Sequence, residues 1–314
     1  MTGIESSAPA VSATRAGYVT LLGRPNAGKS TLLNQLLGEH LSIVTSKAQT
    51  TWQRVTGILT VESDQVIFLD TPGLLEAKDL LQRSMLGAAL QALSEADVVL
   101  LVIDATRRPD SKETERISRA IEEARAPIVV ALNKMDEAPE DLVRDWEAWL
   151  SKHVTGDVHK ISALHGDGAE NLLADLRGRL PESPFLYPED EIASDPVRFF
   201  VAELVRECIF DQYHHEIPYS VMCQVEEFRE GQDPIYIHMN LFVERKSQKG
   251  IIIGNKGTAI RDLGTCARTK IEHFLGARVY LDLWVKPLRA WRKNRAHLKE
   301  LGFRVPEDNE STSS

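Results

Sequence analysis

The chain has 314 residues, 43% of them hydrophobic and 26% charged, which is room for two globular domains and excludes a fibrous or low-complexity chain. Its formal net charge of −9 hides an asymmetry: residues 1–195 carry 19 basic against 30 acidic side chains, and residues 196–306 carry 18 against 13. The first part therefore nets −11 and the second +5, which hints at a basic binding module joined to an acidic one, with ordinary surface charge as the alternative.

Residues 1–16 lack a basic start followed by an apolar stretch, so they read as a disordered lead-in and not as a secretion signal. From 17 to 180 short apolar runs alternate with amphipathic stretches. Strands are expected at 18–22, 66–69, 98–103, 128–132 and 158–161, and helices at 29–37, 80–93, 112–125, 139–150 and 171–180. The longest apolar run in this half is far too short to cross a bilayer. Such alternation predicts an α/β domain with a mostly parallel sheet and helices on both faces. Residues 181–196, with Pro181, Pro184, Pro188 and Pro196, read as a linker. A second domain at 197–303 is expected to be α+β with a mainly antiparallel sheet. Its helices are expected at 199–211 and 258–274, its strands at 219–228, 234–244 and 278–285, with an apolar turn at 251–253. Residues 304–314 read as a disordered tail. Cys208, Cys223 and Cys266 form no C-x-x-C pair and are expected to be reduced thiols of a cytosolic protein.

Gly23-Arg24-Pro25-Asn26-Ala27-Gly28-Lys29-Ser30 fits G-x-x-x-x-G-K-[ST] between a strand and a helix. Glycines there let backbone N–H groups turn toward phosphate oxygens, and the helix N-terminus adds its dipole. Lys29 can reach the β- and γ-phosphates, and Ser30 can hold Mg2+. The base is named by Asn133-Lys134-Met135-Asp136, directly after a strand. A carboxylate at Asp136 accepts from guanine N1–H and its 2-amino group, a donor pair that adenine lacks. Asn133 would brace the loop, the Lys134 stem would lie along the base, and Ser162 and Ala163, following Ile161, could offer backbone N–H to guanine O6. Asp70-Thr71-Pro72-Gly73 follows another strand; Asp70 would hold Mg2+ and the Gly73 N–H would sense the γ-phosphate. Between these motifs lies Gln49-Thr50-Thr51, and one of the two threonines would complete the Mg2+ shell, with Thr51 preferred and Thr50 left open.

These segments, in this order, resemble the translation-factor-related GTPases and specifically the Era family, and the resemblance runs from Gly17 to about Phe303. It implies an enzyme that hydrolyses GTP to GDP and phosphate with Mg2+. Where many small GTPases place a water-orienting glutamine, this chain has Leu74. Catalysis is then assigned to Lys29, Thr51 and Asn26, the last either as a potassium ligand beside the phosphates, giving K+-stimulated hydrolysis, or as a simple loop hydrogen-bonder.

Gly254-Asn255-Lys256-Gly257, set among helices and strands, resembles the loop of a type II KH domain that clamps single-stranded RNA. Bases would lie over Ile251, Ile252 and Ile253, flanked by Lys246, Lys249, Arg261 and Arg268. A helix-turn-helix with structural glycines is the alternative. Lys286 opens a basic cluster with Trp291, which either contacts RNA or packs on the core. His214 and His215 read as surface residues. The resemblance implies 16S rRNA and the 30S subunit precursor as partners, a role in 16S rRNA processing, a monomer in the cytoplasm, and peripheral membrane association. The rival readings are an RNA-binding scaffold with GTP as a structural ligand, and a GTPase that powers tRNA modification.

Overall fold

Two sheets organise the chain, which is described by a computed structural model over residues 13–306 apart from Ser46, Ala48 and Leu75. Of the stretches expected to be disordered, 1–16 and 304–314, residues 1–12 and 307–314 lie outside the described residues. The first sheet contains β1 (Arg15–Leu22), β2 (Val55–Val61), β3 (Asp64–Asp70), β4 (Val98–Asp104), β5 (Ile128–Asn133) and β6 (Val158–Lys160), in the order β2-β3-β1-β4-β5-β6. Only β2 runs antiparallel to its neighbour. Every residue of β3 and β4 is buried, as continuous apolar strands covered on both faces must be. Helices α1 (Lys29–Leu37) and α5 (Ala169–Gly178) cover one face. The other is covered by α2 (Leu80–Glu95), α3 (Ser111–Glu123) and α4 (Glu140–His153). Asp79 and Asp110 start α2 and α3 by accepting the N–H of Gln82 and Glu113, each at 2.9 Å.

Two corrections concern this sheet. Strand β2 was not expected, because Gly57 interrupts its alternation; glycine is needed there since a Cβ would lie 2.5 Å from Leu37 Cδ1. Strand β1 also starts at Arg15, inside the stretch expected to be disordered, where the Arg15 guanidinium meets Asp64 at 2.7 Å. The proline-rich segment 181–196 is not a free tether. It is strapped along the sheet: Gln65 Oε1 accepts the N–H groups of Leu186 and Tyr187, the Ile192 carbonyl accepts from Ile58, and Asp195 accepts from Thr56. This covers the edge strand β2.

The second sheet, β7 (Val221–Arg229), β8 (Ile235–Val243) and β9 (Val279–Pro287), pairs β7 with β8 antiparallel and β8 with β9 parallel. Against it pack α6 (Val197–Gln212), α7 (Lys246–Ile253) and α8 (Thr258–Leu275). The apolar turn expected at 251–253 is the end of α7; its polar first half and Gly250 conceal a helix that buries only Gln248 and Ile252. Gln248 Oε1 reaches back to the Arg245 N–H at 3.0 Å. Cys208 and Cys266 form a disulfide between α6 and α8, which corrects the expectation of reduced thiols; Cys223 is free and buried.

After β9 the chain crosses back to the first domain. Trp291, α9 (Arg295–Glu300) and Phe303 join Trp52, Leu80, Leu81 and Met85 in one apolar cluster. Residues 304–306 of the tail expected to be disordered are tied down: the Arg304 carbonyl accepts from Ser84, and the Pro306 carbonyl accepts from Arg295. No helix among the described residues is long and apolar enough to cross a membrane.

Candidate functional site

Between β1 and α1 the backbone takes left-handed values at Gly23 (φ +151°), Asn26 (φ +66°) and Gly28 (φ +96°). A Cβ on Gly23 would stand 2.3 Å from the Val102 carbonyl oxygen, and one on Gly28 2.2 Å from Asn133 Nδ2. Both space and backbone therefore demand glycine. Lys29 is buried and bends back to donate to the carbonyls of Gly23 and Arg24, at 3.3 and 3.2 Å. Burial lowers its pKa, and the Asp70 carboxylate opposes that shift. Arg24 ties the loop to α3 through Glu113 at 2.7 Å.

Ser30 Oγ donates to Asp70 Oδ2 at 2.8 Å and lies 3.2 Å from Thr51 Oγ1. Asp70 is completely buried, and its Oδ1 has no hydrogen-bond partner among the described residues. Burial raises its pKa, with Lys29 and the surrounding hydroxyls pulling the other way. Three hard oxygens meet here around an orphaned carboxylate atom, a donor set that fits Mg2+. Thr51 is the threonine brought to this point; Thr50 instead turns its carbonyl to Arg206. Thr71 donates to the Leu21 carbonyl at 2.9 Å. Gly73 closes on the loop so tightly that a Cβ would sit 2.5 Å from the Pro25 nitrogen. Leu74 donates its N–H to the Gly23 carbonyl at 3.0 Å and buries its side chain with Leu22, Leu101 and Ile117, so it offers no polar group to a water. Asn26 borders the same pocket as Lys29, Ser30, Thr51 and Gly73.

At the same carboxyl end of the sheet, after β5, Asn133 staples two loops: its Nδ2 donates to the Ala27 carbonyl at 2.8 Å, and its Oδ1 accepts the Ala163 N–H at 2.9 Å. Ser162 gives its N–H to the Asp167 carbonyl at 3.0 Å. The expectation that the N–H groups of Ser162 and Ala163 stand open to a base oxygen is thus corrected; both already brace the loop. The Ser162 hydroxyl instead holds the Asp136 carboxyl below its usual range, which keeps it a charged acceptor. Met135 donates its N–H to the Ile161 carbonyl at 3.1 Å. Lys134, at φ +67°, reaches Asp104 Oδ2 at 2.6 Å. Burial pushes the Asp104 carboxyl up, but Lys134 and Thr106 outweigh it and hold it low. Sequence reasoning missed Asp104; the available signal was an acid closing a fully apolar strand in register with Asn133.

In the second domain, Gly254 (φ +73°) ends α7 and Gly257 (φ +78°) opens α8, with Asn255 and Lys256 exposed between them. A Cβ on Gly254 would meet Ala259 Cβ at 2.6 Å, whereas one on Gly257 would meet nothing within 4 Å. Ile252 is fully buried, which corrects its place in the expected groove; Ile251, 50% exposed, and the partly buried Ile253 remain beside the loop. Lys286 is exposed on β9. Trp291 is core: its ring lies 5.7 Å from that of Trp52, tilted against it, and its indole N–H donates to the Ser220 carbonyl at 3.1 Å. His214 and His215 are exposed in the turn after α6.

Residues 18–134 match the family model described as 50S ribosome-binding GTPase, and residues 216–292 match that of the KH domain. Over 289 residues the chain is 43% identical to GTPase Era of Geotalea daltonii, covering 91% of this chain and 97% of that protein. The chain belongs to the Era GTPase family. GTPase Era of Carboxydothermus hydrogenoformans is 40% identical over 92% of this chain and 98% of its own length. Two solved Era structures superpose with a TM-score of 0.88 and 38% identity, over 93% of this chain and all of theirs. One is a variant of Aquifex aeolicus Era bound to GDP·AlF4−; the other is an Era in complex with MgGDPNP and nucleotides 1506–1542 of 16S ribosomal RNA. As an Era-family GTPase the chain hydrolyses GTP to GDP and phosphate, on a P-loop domain followed by a KH domain.

Proposed function

We propose that this chain couples GTP hydrolysis to binding of the 3′ end of 16S rRNA and acts in 16S rRNA processing and 30S subunit biogenesis. The observation that carries this reading is one chain in which a glycine loop opens α1 beside three convergent oxygens and a second, exposed glycine loop opens α8. The relative solved with MgGDPNP and a 16S fragment supports it.

In this reading the backbone of Gly23, Arg24, Pro25, Asn26, Ala27 and Gly28 surrounds the phosphates. Lys29 exchanges the carbonyls of Gly23 and Arg24 for the β- and γ-phosphate oxygens. Ser30, Thr51 and Asp70 hold Mg2+, which when bound neutralises charge across those oxygens. The Gly73 N–H, fixed by Thr71 and Pro72, senses the γ-phosphate. Asp136 reads the guanine N1–H and 2-amino donors, with Asn133, Lys134, Met135, Ile161, Ser162 and Ala163 building the wall around the base. Leu74 cannot orient water; Asn26 would hold a potassium ion, whose charge would supply the stimulation of hydrolysis. Gly254, Asn255, Lys256, Gly257 and Lys286 hold the RNA backbone. The cytoplasmic location, the monomeric state and peripheral contact with the inner membrane face follow from the family resemblance.

The test is GTP turnover by the full chain in potassium buffer, with and without an oligonucleotide of the 16S 3′ end. The RNA is expected to bind and to change turnover, an effect lost in Gly254→Asp and Gly257→Asp, and exchange of K+ for Na+ is expected to slow hydrolysis. If the RNA neither binds nor alters turnover, the second domain is a protein-interaction module instead.

A further inference from the structure

The segment that carries Thr51 is held from outside its own domain. Arg206 of α6, only 1% exposed, donates to the Thr50 carbonyl on one side of Thr51 and lays its guanidinium 4.5 Å from the Trp52 ring on the other. Glu203 fixes that guanidinium at 2.6 and 2.8 Å. The same helix grips the segment twice more. Glu207 accepts the Val44 N–H at 3.2 Å and meets His40 Nε2 at 3.0 Å, while Lys47 caps the helix end by donating to the carbonyls of Tyr213, at 2.6 Å, and Phe210. A cation on those last carbonyls is favoured by the helix dipole.

Helix α6 also holds the second glycine loop, on both flanks. The Tyr213 hydroxyl donates to the Ile252 carbonyl at 2.9 Å, two residues before Gly254, and Gln212 donates to the Ala259 carbonyl at 2.8 Å, two residues after Gly257. One helix therefore touches the neighbours of Thr51 and the neighbours of the G-x-x-G loop.

We propose that Arg206 is a positioning residue for GTP hydrolysis: by fixing Thr50 and Trp52 it places Thr51 Oγ1 next to Ser30 and Asp70, so that the KH domain completes the Mg2+ site of the GTPase domain. This rests on the reading of Ser30, Thr51 and Asp70 as the Mg2+ donors. Losing the grip leaves the phosphate loop intact and weakens the metal shell alone. By linkage, a ligand that moves the flanks of the G-x-x-G loop changes the Mg2+ requirement in the same currency.

The test is GTP turnover of the full chain titrated with MgCl2, for Arg206→Gln, Thr51→Ala and the double variant. Arg206→Gln is expected to raise the Mg2+ concentration for half-maximal turnover by about tenfold, a usual size for coupling between sites. In the Thr51→Ala background the same change is expected to add nothing, because Arg206 acts through Thr51. Additive shifts in the double variant overturn the proposal and leave Arg206 a purely structural residue. If Thr51→Ala itself leaves the Mg2+ dependence unchanged, the metal-site reading fails first. Trp52→Leu keeps the Arg206 bond to Thr50 while removing the ring under the guanidinium, together with the indole bond to the Gln49 carbonyl and the contact with Trp291, and covers the case in which Arg206→Gln does not fold. It is expected to give a smaller shift with the same non-additivity, and an unchanged Mg2+ curve counts against the proposal.

Discussion

The loops that open α1 and α8 both carry glycine, and they need it for different reasons. Around Gly23 and Gly28 the walls are the protein itself, with Val102 and Asn133 so close that no Cβ fits. At Gly257 nothing lies within 4 Å, and only the positive φ asks for glycine. A loop walled by its own protein is built to enclose a small charged ligand. A loop open on one side takes its second wall from the partner, as a clamp on a long backbone must. The buried loop accordingly carries perturbed groups, Lys29 pushed down and Asp70 pushed up, whereas the residues of the exposed loop stand in solvent.

The largest effect expected from this contrast is at Gly28. Gly28→Ala drives a methyl into the Asn133 amide that staples the loops, and turnover should fall on the order of 1,000-fold, as when preorganised donors at a reacting centre are lost. Gly257→Ala meets open space, so the left-handed penalty of about 1 kcal/mol is its whole cost. Melting curves and phosphate-release assays on the two variants separate a wall made by the protein from one made by a ligand. A turnover drop at Gly28 no larger than a few-fold breaks the comparison.

Base choice comes next. Asp136→Asn replaces one acceptor by a donor, which suits a base carrying a carbonyl where guanine has its 2-amino group. Relative turnover of xanthosine triphosphate over GTP should rise about 100-fold, on the scale of one polar group left unpaired. An unchanged ratio removes Asp136 from the base site.

The smallest effect concerns what joins the two loops. Burial pushes the Glu207 carboxyl up, but His40 and Lys270 outweigh it and bring its pKa down to about 2, below the ordinary 4.5. A pKa lower in the folded than in the unfolded state stabilises fully above about 4.5, and that stabilisation is lost as pH falls toward about 2. Glu207→Gln should therefore melt about 5 °C below the parent at pH 7, on the scale of a few kcal/mol in a chain of this size. The two curves should converge as the pH approaches the lower value. A constant difference at all pH values shows that the carboxylate charge is not what matters.

Much of this was legible in the sequence because it depends on local pattern. Strands β3, β4 and β5 appear as apolar runs, and the phosphate and base loops appear as motifs placed at their ends. What stayed hidden depends on partners distant in sequence. Strand β2 is broken by a glycine whose reason is Leu37, α7 starts with polar residues whose cap is a side chain, and 181–196 looks like a tether until Gln65 binds it. The Ala163 N–H was assigned to a base because the Asn133 oxygen that takes it cannot be seen in a linear motif. Arg206 has no local signature at all; its meaning comes from Thr50 and Trp52, more than 150 residues away.

Trp52 and Trp291 come from opposite ends of the chain, yet their ring centroids lie 5.7 Å apart with planes inclined at 43°. Two indoles at that separation share their excited states and give a coupled circular-dichroism band that separated indoles do not. The other close pair, Trp146 and Trp149, sits on the single helix α4 and keeps its geometry whatever the domains do. The molecule thus holds an optical ruler across its domain boundary and a constant reference beside it, so docking can be followed in real time on unlabelled protein.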